Sequence, residues 1–138
     1  MPIRGVISLP GDKSISHRAL MLASLTDGNC VIHNISTGED VETTRKCLVQ
    51  CGMESEKDGT TVRLRGGGLK PTEMPLYCGN SGTTVRLMAG LLAGKGVRAK
   101  FTGDKSLSER PMNRIIDPLK KMGINIESEN GYLPLLLI

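Results

Sequence analysis

The chain has 138 residues, 38% hydrophobic and 23% charged, with a net charge of +4 and a sequence pI near 9.0. That length and composition suit one folded domain with a real core and exclude a disordered or collagen-like chain. Two Tyr, one Phe and no Trp exclude an aromatic platform for stacking bases, so the modest basicity points to a small anionic molecule rather than nucleic acid.

Residues 3–9 read as a short strand, stopped by Pro10-Gly11. Residues 14–26 read as a helix with Ala19, Leu20, Leu22, Ala23 and Leu25 on its apolar face, ended by Asp27-Gly28. Residues 29–35 alternate like a strand. Residues 38–51 read as a second helix, with Val41, Leu48 and Val49 inward and Gly52 as its stop. Strands at 53–57 and 60–65 follow, joined by a hairpin turn at Asp58-Gly59. The order then recurs: helix 82–94, strand 96–102, helix 111–122, strand 124–129, an Asn130-Gly131 turn and a last strand from Leu133.

A shift of 68 positions lays Gly11 on Gly79, Arg18 on Arg86 and Gly28 on Gly96. The pattern is a duplicated α-β-α-β-β unit, or β-α-β-α-β-β if each copy begins with the strand before its helix. An α/β fold of sheets covered by helices is expected. The first strand has no partner within either repeat, and the chain stops in Pro134-Leu135-Leu136-Leu137-Ile138. Both features are expected of the front part of a longer protein. Bare strand edges would also favour self-association of such a piece.

Three segments carry the candidate chemistry. Gly11-Asp12-Lys13-Ser14-Ile15-Ser16-His17-Arg18 and Gly103-Asp104-Lys105-Ser106-Leu107-Ser108-Glu109-Arg110 read nearly alike. Gly79-Asn80-Ser81-Gly82-Thr83-Thr84-Val85-Arg86 keeps the leading Gly and the trailing Arg. In the first, Asp12 or Ser14 can cap the helix, whose free amides and positive dipole end then face the loop. Lys13 sits at that mouth. Arg18, one turn after Ser14, leans back toward the helix start and can hold an anion there in a bidentate way. In the second, glycines admit close approach to the backbone and hydroxyls donate to oxygen ligands; Arg86 is four residues beyond Gly82, as Arg18 is beyond Ser14. No Lys-Ser/Thr pair makes it a Walker loop. In the third, Pro111 favours the first helical position, so Gly103–Arg110 is expected to be a loop leading into the helix, with Arg110 at or just before the cap and Glu109 placed to orient it.

Other residues carry less. His17 and His33 stand in no catalytic pattern, and His17 reads as a surface or packing residue. Glu39, Asp40 and Glu42 read as an acidic helix start that complements the macrodipole. Gly66-Gly67-Gly68 reads as a connection between repeats. The cysteines Cys30, Cys47, Cys51 and Cys78 form no CxxC pair and read as buried thiols of a reducing compartment. No apolar run reaches membrane-spanning length and no signal peptide opens the chain, so the cytoplasm is expected and a membrane is not.

Leu9–Ala19, Gly79–Leu87 and Glu109-Arg110-Pro111-Met112 closely resemble the N-terminal part of the 5-enolpyruvylshikimate-3-phosphate synthases, or 3-phosphoshikimate 1-carboxyvinyltransferases. The resemblance runs along essentially the whole chain. The related UDP-N-acetylglucosamine enolpyruvyl transferases share the architecture but lack the Lys-Ser-x-Ser-x-Arg form. The resemblance implies an inside-out α/β barrel of βαβαββ copies, three to a domain, with the active site in the cleft between two domains. Residues 1–10 would then belong to the second domain and the crossing from it. Residues 11–138 would form two of the three copies of the N-terminal domain, about 11–68 and 69–138.

It also implies roles. Lys13 matches the lysine that contacts phosphoenolpyruvate at the reacting centre. Lys13, Ser14, Arg18 and Thr83 match positions that hold shikimate 3-phosphate. Gly82 lies against the phosphoenolpyruvate pocket, which a larger residue would crowd and which glyphosate also occupies. Arg110 matches the arginine that clamps the phosphoenolpyruvate anion, and Arg86 and Asn80 match supporting positions. Ser81 stands where another branch has Ala. The implied reaction moves the carboxyvinyl group of phosphoenolpyruvate to the 5-hydroxyl of shikimate 3-phosphate and releases phosphate. It uses neither metal nor organic cofactor, in a protein expected to be a monomer at full length. The family's acid/base carboxylates lie in the other domain, so the chain alone is expected to be catalytically silent. The competing readings are a non-catalytic phosphate-binding module and, more remotely, a nucleic-acid binder recognisable by steep salt dependence.

Overall fold

In a computed structural model, which describes residues 2–138, the chain forms two sheets with helices packed across them. The first unit runs α1 (Lys13–Ser24), β1 (Asn29–Ile32), α2 (Glu39–Gln50), β2 (Glu54–Asp58) and β3 (Thr61–Arg65). The second runs β4 (Leu76–Tyr77), α3 (Gly82–Gly94), β5 (Ala99–Thr102), a short α4 (Lys105–Ser108), α5 (Asn113–Lys121), β6 (Ile126–Glu129) and β7 (Tyr132–Leu137).

The sheet orders repeat. In the first, β3 lies between β1 and β2, antiparallel to both. In the second, β7 lies between β5 and β6 in the same sense. The second sheet has one strand more: β4 pairs parallel with β5, through Leu76↔Phe101 and Tyr77↔Thr102. The corresponding edge of β1 is open. This is the expected α/β fold of βαβαββ units, with the first strand of the first copy not supplied by residues 3–9. That segment forms no strand here. It is exposed along its length, with Ile3, Val6, Ile7 and Leu9 all out of the core. A strand needs a neighbour for its backbone groups, and this one has none within the fold.

Local chemistry explains where the other boundaries moved. The strand expected over 29–35 ends at Ile32, because Asn34 turns into the left-handed region at φ 54°. The strand expected from 96 starts at Ala99, since Gly96 at φ 65° closes α3. The first hairpin turns on Gly59-Thr60 rather than Asp58-Gly59, as Asp58 is still paired with Thr61. The second turns on Asn130-Gly131, with both residues at positive φ and Glu129 paired with Tyr132, as a two-residue type I′ loop requires. Pro111 precedes the α5 cap, Met112, rather than opening the helix, and the loop expected over Gly103–Arg110 contains the short α4, because Asp104 caps a turn there.

The helix faces also differ from the simplest apolar count. In α1 the buried positions are Ser16, His17, Leu20, Met21, Ala23 and Ser24, whereas Leu22 is 66% exposed. In α2 they are Val41, Thr44, Cys47 and Leu48, with Val49 turned outward. Helices and strands share the apolar core, with Leu20, Leu48, Met88 and Leu92 from the helices and Phe101 and Leu135 from the second sheet inaccessible to solvent. Near the helix starts, buried polar residues join it: Ser16 and His17 on α1, Thr44 on α2 and Thr84 on α3, beside Val41 and Val85. Helices α1, α2 and α3 pack against one another, so their starts meet.

Candidate functional site

The first turn of α1 is fixed by its own sequence. The Asp12 carboxylate accepts from the Ile15 amide at 2.7 Å, and Ser16 Oγ donates to the Asp12 carbonyl at 2.7 Å while accepting from the Ser36 amide at 2.9 Å. Gly11 is held against the backbone: a Cβ there would overlap the Asn34 carbonyl oxygen and lie 2.9 Å from the Ser36 nitrogen. Lys13 is thus the first helical residue and Ser14 follows, both exposed. Arg18 reaches back one turn and donates to the Ser14 carbonyl at 3.0 Å, the direction that helical side chains favour. The Lys13 ammonium is ion-paired with the Asp40 carboxylate at the start of α2.

The second loop is anchored differently. Gly79 adopts φ 54°, a conformation that suits glycine. Ser81 caps α3 by accepting from the Thr84 amide at 3.1 Å. Gly82 opens the helix beneath two guanidinium groups. A Cβ at Gly82 would overlap Nη1 of Arg86 and lie 3.6 Å from Nη1 of Arg110. Arg86 does not repeat the Arg18 contact; it donates to the Pro111 carbonyl at 3.2 Å. Thr83 is half-buried at the same turn.

The third segment folds its Gly-Asp-Lys-Ser start as the first one does. Asp104 accepts from the Leu107 amide at 2.7 Å, and Lys105 is the first helical residue. The helix ends after Ser108, so Arg110 lies beyond it rather than on its face. Its guanidinium is placed by Asn80, which accepts at Oδ1 at 2.6 Å and at its carbonyl at 3.5 Å, and by Ser106 Oγ at 3.3 Å. The expected orienting role of Glu109 is not realised. Asn80 Nδ2 in turn donates to Asp104 at 3.0 Å, which ties the second and third segments together. Gly103 tightens that junction, because a Cβ there would lie 3.0 Å from the Gly79 carbonyl oxygen.

Asp40, Asn80, Gly79, Thr43 and Asp104 line one cavity of about 310 Å³. Its lining includes Asp40, the partner of Lys13, and Asn80, the partner of Arg110, but neither Lys13 nor Arg110 itself. Direct contacts group Asn80, Gly82, Arg86 and Arg110, whereas Lys13 contacts Asp40, Arg18 contacts Ser14, and Thr83 follows Gly82 on the first turn of α3. A separate cavity of about 320 Å³ over the first sheet is lined by residues such as Glu54, Glu56, Arg63 and Arg65 and holds no predicted site residue.

The family model for EPSP synthase, 3-phosphoshikimate 1-carboxyvinyltransferase, matches residues 1–137. The chain belongs to the EPSP synthase family. It is 44% identical over 140 residues to the 3-phosphoshikimate 1-carboxyvinyltransferase of Endomicrobium trichonymphae, covering 98% of this chain and 33% of that one. The counterpart from Synechococcus sp. (strain JA-3-3Ab) is 50% identical over 134 residues, covering 94% and 30%. Among solved structures, EPSP synthase from Acinetobacter baumannii superposes with a TM-score of 0.90 at 37% identity, covering 96% of this chain and 31% of that one. The chain spans about a third of the length of the curated relatives it matches.

Within this EPSP synthase segment, two features of the site were not drawn from the sequence. Asp40 is not only a helix-start acid: it meets Lys13. His17 is not on the surface. It is fully buried, with Nδ1 2.8 Å from Thr44 Oγ1, and burial holds its imidazole below the ordinary value of 6.5. Neither contact has a local signal, because each joins α1 to α2 across more than twenty residues. Of the thiols, Cys47, Cys51 and Cys78 are buried as expected, but Cys30 is only half-buried. Among the described residues no group of His, Cys, Asp and Glu is arranged to hold a metal, and no helix is long and apolar enough to cross a membrane.

Proposed function

We propose that this chain supplies part of the substrate site for carboxyvinyl transfer from phosphoenolpyruvate to the 5-hydroxyl of shikimate 3-phosphate, with release of phosphate. The observation that carries the reading is the pair of guanidinium groups flanking Gly82, one of them held by Asn80. Gly82 leaves space where a side chain would displace Arg86, and that space lies against fixed positive charge. Arg110 there binds the phosphoenolpyruvate anion, and Arg86 shores up the loop through Pro111. Lys13, Ser14, Arg18 and Thr83 bind shikimate 3-phosphate. The free amides and positive end of α1 and α3 add to the attraction.

In the transfer, the 5-hydroxyl oxygen bonds to C2 of phosphoenolpyruvate and gives up its proton, while C3 gains one. Elimination then expels phosphate and removes a proton from C3. Such proton movements need positioned acids and bases. Lys13 is the candidate in this chain, and its ammonium is paired with the Asp40 carboxylate. We assign residues 11–138 to two βαβαββ copies of one domain, about 11–68 and 69–138, and residues 1–10 to a second domain and the crossing. The open β1 edge and the exposed 2–10 segment support that division.

The test is an assay of purified 1–138. Titration with shikimate 3-phosphate is expected to shift the Ser14 and Thr83 amides, with weak affinity, and the chain alone is expected to release no phosphate from the substrate pair. Amides that stay put at saturating ligand would overturn the reading of the site. Sustained turnover would overturn the view that the remaining groups lie outside this segment.

A further inference from the structure

A buried line of polar side chains joins the starts of α1, α2 and α3. His17 Nδ1 lies 2.8 Å from Thr44 Oγ1, which lies 2.7 Å from Thr84 Oγ1, which lies 2.7 Å from Ser81 Oγ. Thr84 Oγ1 also lies 3.3 Å from the Asp40 carbonyl oxygen. His17, Thr44 and Thr84 are inaccessible to solvent and Ser81 is 1% exposed. We propose that His17 is a positioning residue for the anion site. Through this relay of three hydroxyls it fixes the start of α3, with Gly82, Thr83 and Arg86, against the start of α1, which carries Lys13 and Arg18.

Counting protons sets the direction of the relay. A backbone carbonyl only accepts, so Thr84 spends its single hydroxyl proton on the Asp40 oxygen or on Ser81. Thr84 must then accept from Thr44. That uses the Thr44 proton, so His17 must donate from Nδ1. His17 is thereby a neutral Nδ1–H imidazole with a bare Nε2. That nitrogen is the one buried side-chain polar atom without a partner among the described residues. The reverse wiring would bury an unpaired Nε2–H donor and leave the Asp40 contact unmade. Orphaned donors are the rarer and costlier case.

The cost of the unpaired Nε2 separates positioning from packing. An apolar chain at three of these positions would fill the same space with no desolvation penalty. The polar relay does what packing does not. Each hydroxyl has one proton and a narrow angular range, so the three helix starts are held in a defined register. Ser81, the last member, is the α3 cap itself. Asp40, touched through its carbonyl, carries the carboxylate that pairs with Lys13. The charged groups near His17 are Asp40 on α2 and Lys13 and Arg18 on α1.

The inference rests on the proposed substrate site, and the test separates the two. Thr44→Val keeps the shape and deletes both hydroxyl links; Thr44→Ser keeps the hydroxyl and loses the methyl. Shikimate 3-phosphate affinity is expected to fall about tenfold in Thr44→Val and to recover to within about twofold in Thr44→Ser. Nitrogen NMR of His17 is expected to show Nδ1–H with a bare Nε2. Wild-type affinity in Thr44→Val, equal losses in both variants, or an Nε2–H tautomer would overturn the inference. If the unaltered chain binds no shikimate 3-phosphate, the substrate reading falls. The relay is then judged on exchange of the Thr84 amide proton, held by Ser81: faster in Thr44→Val and restored in Thr44→Ser supports it, and unchanged exchange overturns it. If Thr44→Val does not fold, His17→Leu and His17→Asn replace the pair, because the Asn amide nitrogen stands near the place of Nδ1. Asn restoring what Leu loses supports the relay, and equal behaviour overturns it.

Discussion

Asn80 accepts from the Arg110 guanidinium at 2.6 Å across thirty residues of sequence, while its own amide donates to Asp104. One side chain therefore aims the arginine and locks the segment that carries it. Asn80→Ala removes both bonds at an exposed position, so the fold should persist and the aim of Arg110 should not. Losing an oriented charge-assisted contact of this kind costs about 1–2 kcal/mol. Phosphoenolpyruvate affinity is expected to drop about tenfold, with shikimate 3-phosphate affinity changed less. Isothermal titration with each ligand checks the split.

Gly82→Ala tests the space beneath the two arginines. The new methyl would overlap the Arg86 guanidinium, which is the far end of a flexible side chain. The helix can keep its backbone while Arg86 swings away from the Pro111 carbonyl. Melting temperature is expected to stay within a few degrees, since Ala is the better helix former at that position. Phosphoenolpyruvate affinity is expected to fall about tenfold or more, as both added bulk and a displaced charge act on one pocket. An unaffected affinity would place the phosphoenolpyruvate site elsewhere.

Much of this was legible from local chemistry. The Asp12 cap of α1, the start of α3 at Gly82 and the Asn130-Gly131 turn each act within four residues, and the structure builds them where the sequence places them. What was not legible acts across distance. Leu22 points outward because Ser16, His17 and Ser24 take the buried face, and an apolar count cannot foresee that polar side chains will satisfy one another across three helices. Asp40 looked sufficient as a macrodipole partner until α1 and α2 were packed and Lys13 met it. Residues 3–9 have the period of a strand, but a strand is a property of two segments and this one finds no second. Arg110 lies just before the α5 cap as expected, but its orienting partner is Asn80 of the second segment rather than the neighbouring Glu109, a contact across thirty residues.

The Lys13–Asp40 pair yields a prediction about competition. An incoming phosphate must draw the Lys13 ammonium away from a carboxylate that also repels it. Asp40→Asn removes both obstacles without changing shape. Affinity for shikimate 3-phosphate is expected to rise about threefold, in the range of a half-exposed ion pair. The gain should shrink as salt is added, because screening weakens the pair in the unaltered chain. Titrations at two ionic strengths measure it, and a loss of affinity would make Asp40 a ligand-positioning group instead.

Thiol reactivity follows burial. Burial pushes Cys51 up to about 12, and the hydrogen bond with Cys47, followed by burial, raises Cys78, while the same contact lowers Cys47. A thiol is nucleophilic as thiolate, so Cys51 and Cys78 should resist iodoacetamide at pH 8 in the native chain, and Cys47, 2% exposed, should resist because the reagent cannot reach it. Cys30 is half-buried on β1 and should react first. Mass spectrometry of briefly alkylated native protein should find a single adduct at Cys30, and four after unfolding in urea.

Acid stability should report on Glu42. Its carboxylate accepts from Arg45 on the same helix at 2.7 Å and from Lys57 at 3.1 Å, the latter tying α2 to β2. Hydrogen bonding by Arg45 is the larger cause that lowers its pKa from 4.5 to about 2. The folded state thus binds the Glu42 proton less readily than the unfolded state. The stabilisation is fully present above pH 4.5 and is lost as pH falls from there through about 2. The group is partly exposed, so solvent screening reduces its worth to about 1 kcal/mol. His17 acts in a different window. Its folded pKa is lowered from 6.5, so its neutral form favours the fold and stability declines as pH drops below 6.5. Comparing urea midpoints of Glu42→Gln and the unaltered chain cancels the His17 contribution. The unaltered chain should be the more stable at pH 7 and should lose most of that lead by pH 3. A lead that is constant across the range would mean that Arg45 and Lys57 do not hold the Glu42 charge in the folded state.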